Sequence, residues 1–73
     1  MAIDYSKYIT DDQKKKLIQD RLAQFAAEAY QHSINAQVAE SLGNDEGVEN
    51  AANALGILEA AIDAHEAELS TLN

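Results

Sequence analysis

Val48, Ala51, Leu55, Leu58, Ile62, His65, Leu69 and Leu72 are separated by 3, 4, 3, 4, 3, 4 and 3 residues. A seam with this alternation is the signature of a helix packed lengthwise on another helix. A half-buried strand would instead alternate with a period of 2. Ile18, Leu22, Phe25, Ala29, His32, Ala36 and Ala39 repeat the same alternation earlier in the chain. Gly43-Asn44 supplies the break between the two seams, and no proline occurs anywhere. Two seams of equal period joined by so short a break face each other as antiparallel neighbours.

The expected fold class is therefore all-α. Residues 1–73 form one domain: an antiparallel two-helix hairpin with an extended N-terminal arm, assembling with other chains. The arm covers 1–9, the first helix about 11–42 and the second about 45–71. Thr10-Asp11-Asp12-Gln13 matches a capping box, with Thr10 accepting from the Gln13 N–H and Gln13 reaching back to Thr10. Asp11 and Asp12 then sit at the positive end of the helix dipole. Gly43 suits the left-handed residue that ends a helix, and Asn44 or Asp45 caps the next one. Folding at this break pairs residues whose numbers sum to roughly 88. Phe25 then lies near Ile62 and Ile18 near Leu69, with Ala36 and Ala39 beside Val48 to Ala52. The hairpin is expected to be thin and alanine-packed at its turn and bulky at its open end.

Composition shows what such a hairpin lacks. With 73 residues, a chain buries too little of its surface to rest comfortably on a private core. No cysteine is present, so neither a disulfide nor a thiolate-held zinc can supplement the core. Association with other chains is the remedy left. The first helix also carries more apolar surface than one partner helix covers. Ala23, Ala27, Tyr30, Ile34 and Val38 form a second strip, placed beside the seam by helical periodicity. The second helix has a weaker one, made of Ile57, Ala60, Ala61 and Ala64. The arm adds Ile3, Tyr5, Tyr8 and Ile9. Tyrosine favours interfaces because it joins a large apolar area to a polar tip. Tyr5, Tyr8 and Ile9 either cover Leu69 and Leu72 at the open end or reach a neighbouring subunit. The expected protein interface is thus Ile3, Tyr5, Tyr8, Ile9, Ala27, Tyr30, Ile34, Val38 and Ile57.

Charge narrows the range of partners. The net charge is -8, and all five basic residues precede residue 22. From Leu22 onward there are nine carboxylates and no lysine or arginine. Such a surface repels nucleic acid and anionic lipid. No stretch approaches the ~20 apolar residues of a membrane span, and "MAIDYSKYIT" lacks the pattern of a signal peptide. The expectation is a protein that binds proteins, with no direct nucleic-acid or membrane contact. Lys14-Lys15-Lys16 reads as a solvated face paired with Asp11 and Asp12, in preference to a phosphate contact.

Chemistry has little to stand on. His32 and His65 both fall on seam positions, with Glu28 four residues before His32 and Glu68 three after His65. The Glu-x-x-His pattern of di-iron helical proteins is absent, because Ala29 and Ile62 occupy the required carboxylate positions. These histidines read as seam residues at an interface, hydrogen-bonded to a carboxylate. Glu59, Asp63 and Glu66 line one edge of the second helix without the loop that wraps calcium, and read as a solvated acidic face. Ser6, Ser33, Ser41 and Ser70 show no nucleophile–base spacing with the histidines. No catalytic residue, metal or cofactor is expected.

The stretch "DYSKYITDDQKKKLIQDRLAQFAAEAYQHSINAQVAE" resembles small uncharacterised helical proteins encoded among the structural genes of tailed bacteriophages. The features that carry the resemblance are Tyr5 and Tyr8, the capping Thr10 and the run Gln24-Phe25-Ala26-Ala27-Glu28, and it covers about half the chain. It implies a virion accessory or assembly component, located in the virion or the host cytoplasm and present in many copies. It brings no catalytic residues. The expected function is a non-enzymatic structural or assembly protein of a phage head or tail. The alternative is an acidic mimic of nucleic acid that inhibits a host protein by filling a basic groove.

Overall fold

The computed structural model describes residues 5–72, apart from the Ser6 side chain. A 3-10 turn at Tyr5–Tyr8 leads into α1, Asp11–Ser41, and α2, Asp45–Leu72, packs back along it. The chain is thus an all-α helical hairpin. It measures 51 × 27 × 15 Å, so it is a single layer of two helices.

The signals at the helix ends work as their chemistry dictates. Gln13 N donates to Thr10 Oγ1 at 3.2 Å, and Thr10 N donates to Gln13 Oε1 at 2.9 Å. Thr10 itself is extended, with φ -79° and ψ 163°, as an N-cap must be. At the other end Gly43 takes φ 67°. Gly43 N donates to Glu40 O at 3.0 Å and Asn44 N to Ala39 O at 2.8 Å. These two bonds make a Schellman motif, which satisfies carbonyls that the end of α1 would otherwise leave open. Asn44, not Asp45, caps α2, its Oδ1 accepting from Gly47 N at 3.0 Å. Gly47 is required by close approach: a Cβ there would stand 2.8 Å from Asn44 Nδ2 and 2.9 Å from the Cβ of Ala39.

Every seam position predicted from the heptads is buried or half-buried. Ile18, Ala39, Ala51 and Leu58 are the buried apolar residues, two of them near the turn and alanine. None of the described side chains is fully enclosed. Two helices can only press one face of each other, so every core residue keeps an open flank.

Two expectations need correction. Tyr5–Tyr8 is not extended but forms one 3-10 turn, a common lead-in to an α-helix. Phe25 also meets His65, one turn on from Ile62, with ring centroids 4.9 Å apart and planes at 75°, an edge-to-face contact. Finally, the Tyr30/Ile34/Val38 strip does not lie beside the seam. At about 100° per residue these positions sit roughly 120–200° from Ala36, on the side of α1 away from α2.

Candidate interaction surface

The strip on the far side of α1 is held out by the helix that carries it. Tyr30 is 70% exposed and Val38 54%, with Ala23 and Ala27 also exposed. Ile34, with Tyr30 and Val38 at i−4 and i+4, is half-buried. On α2, Ile57 is 72% exposed, and Ala60 and Ala64 are open. Ala61 departs from the expected back strip: it is half-buried, on the flank of the seam.

The arm lies at the open end of the hairpin. Tyr5 and Ile9 border a groove of 390 Å³ with Lys14, Leu17, Ile18 and Glu68. Leu69 and Leu72, at the same end of the hairpin, are half-buried. Tyr5 and Tyr8 each remain 75% exposed. Ile3 lies outside the described residues. Leu17 and Leu42 are large exposed apolar residues that the periodicity did not single out. Leu17 stands among Lys16, Gln19 and Asp20, one position off the seam, and Leu42 falls in the helix-ending turn, so neither belongs to a repeating stripe. A run of two adjacent apolar residues at Leu17-Ile18 was the available signal, since a helix cannot turn both towards one neighbour.

Polar contacts on these surfaces are local. Lys14 pairs with Asp11 at 3.8 Å, as expected, but Lys16 pairs forward with Asp20 at 3.5 Å. Exposed pairs of this kind contribute about 0–1 kcal/mol and weaken in salt. Arg21 stands 6.0 Å from the centroid of the Phe25 ring, the outer limit of a cation–π contact. Glu59, Asp63 and Glu66 are exposed on one edge of α2.

Both histidines are half-buried on the seam. His65 Nδ1 lies 2.7 Å from the carbonyl oxygen of Ala61, which can only accept, so Nδ1 carries the proton and donates. Its partner is backbone, not the carboxylate the sequence suggested. Among the described residues no three histidine, aspartate or glutamate side chains gather to hold a metal ion. No described helix is long and apolar enough to cross a membrane.

No family model, curated protein or solved structure matches this chain.

Proposed function

We propose that this chain is a non-enzymatic structural protein that works by docking its exposed apolar helix face on protein, in an assembly of many copies. The observation that carries this reading is the mismatch between the seam and the rest of the apolar surface. One α1 face closes on α2, while Tyr30, Val38, Ile57 and the Tyr5/Tyr8 turn stand in water. Burial of a side chain such as Tyr30 or Val38 is favourable by about 1.5–3 kcal/mol, so docking has a driving force that does not depend on charge. The resemblance to tailed-phage proteins makes a phage head or tail the assembly we propose.

The second reading, an acidic mimic of nucleic acid, is favoured by the run from Leu22 to Asn73 with nine carboxylates and no lysine or arginine. The two readings separate in salt, because screening removes charge–charge attraction and leaves apolar burial intact. Static light scattering of the purified chain, with and without about 1 M sodium chloride, is the test. Structural docking predicts scattering mass above 7.9 kDa that survives or grows in salt. A chain that stays at 7.9 kDa throughout, and binds a polybasic column only at low salt, would favour the mimic.

A further inference from the structure

We infer that the exposed strip of α1 is the contact between two copies of this chain, packed antiparallel about a two-fold axis near Tyr30 and Gln31. This rests on the docking reading above and names its first partner. Three observations lead to it.

The first is area. The accessible surface is 5649 Å², whereas a folded monomer of this mass exposes about 4,400 Å². The excess, about 1,200 Å² per chain, is more than the ~800 Å² that each side of a standard interface covers. The radius of gyration agrees: 16.4 Å, against about 11 Å for a compact domain of this length.

The second is shape. Running the strip against itself in the opposite direction pairs positions whose numbers sum to roughly 61. Ala23 then faces the partner subunit's Val38, and Ala27 faces the partner subunit's Ile34. Each alanine meets a large residue, and the two Tyr30 side chains meet beside the axis. A parallel pairing would set Val38 on Val38 and Ala23 on Ala23, wedging one end open and leaving the other loose.

The third is charge. Glu40, Asp45, Glu46 and Glu49 surround the turn with no cation near them, while at the open end Lys14, Lys15, Lys16 and Arg21 stand among Asp11, Asp12, Asp20, Glu66 and Glu68. The antiparallel arrangement sets the acidic turn of each chain level with this mixed end of the other and keeps the two turns apart. The parallel one stacks the two acidic turns.

Because the chain has no cysteine, single cysteines report the register cleanly. Ala27→Cys and Ile34→Cys are prepared separately, then oxidised alone and as a mixture, and the purified wild-type chain is weighed by light scattering with 1-anilinonaphthalene-8-sulfonate as a dye for exposed apolar surface. The expected result is a disulfide-linked dimer in the mixture and little in either variant alone. Wild type should weigh twice 7.9 kDa, and Tyr30→Glu/Val38→Glu, whose sites are exposed, should stay helical and dimerise more weakly by on the order of 100-fold. Efficient crosslinking of each variant alone would overturn the antiparallel register. A wild-type mass of 7.9 kDa at every concentration would overturn the dimer. In that case, dye binding that the double variant abolishes would leave the docking reading standing, and a wild type that binds no dye would remove that reading too.

Discussion

Leu58→Ala should abolish cooperative unfolding of this chain at 25 °C or bring it close to doing so. Leu58 is one of four buried apolar residues and, with Ile18, one of the two that are larger than alanine. Truncating a buried leucine removes its transfer free energy and leaves a cavity, a loss of about 2–5 kcal/mol in well-packed cores. A chain of this size holds only about 4–11 kcal/mol in all, so the loss is a large part of the total. The seam offers little to refill the space, since Leu58 faces a helix that is alanine-rich toward the turn. Urea titration followed by helix ellipticity should show a midpoint lowered severely, or a sloping curve without a plateau. Glu59→Ala, one residue away but exposed and outside the docking surface, is the control and should leave the stability within about 0.5 kcal/mol of wild type.

Ala51→Leu should be the reverse error with a comparable outcome. Ala51 is 5% exposed and lies in the end of the hairpin where Ala39 packs from the other helix and Gly47 has no room for a Cβ. Leucine here has little solvent to turn to, and one turn away Ala39 already stands 2.9 Å from where a Cβ on Gly47 would lie. The helices must splay at the turn or the side chain must leave its preferred rotamers, which costs about 1–3 kcal/mol in tight cores. The same substitution at exposed Ala60 adds no such strain and should be tolerated. Paired denaturation curves of the two variants make the comparison: equal stability of Ala51→Leu and Ala60→Leu would mean the turn is not tightly packed.

These effects trace back to a fold that was largely written in spacing. Every residue the heptads placed on the seam is buried or half-buried, because a long helix pressed on one neighbour has only one way to cover a 3-4 repeat. The caps were equally legible, since Thr10, Gln13, Gly43 and Asn44 act through their own backbone neighbours and need no tertiary context. The place of the second strip was legible as well, although the expectation set it beside the seam: at about 100° per residue Tyr30, Ile34 and Val38 already fall behind it. What spacing does not give is the partner within a turn: the register sets Phe25 between Ile62 and His65, and the edge-to-face contact is with His65. Leu17 escaped because it repeats with nothing. Sequence also located Tyr30, Val38, Ile57 and the tyrosines of the arm as apolar residues that the hairpin seam does not use, and they are exposed. It could not say what they touch, since a partner leaves no mark on the spacing of a single chain.

The central claim is that a two-helix layer presents more apolar surface than it hides and gains stability by burying it on protein. Thermal unfolding of the wild-type chain at a series of concentrations tests this most directly. Association that buries the strip binds the folded state alone, so the midpoint should rise steadily with chain concentration. A sharp, reversible transition whose midpoint is the same at the lowest and highest concentrations would contradict the account.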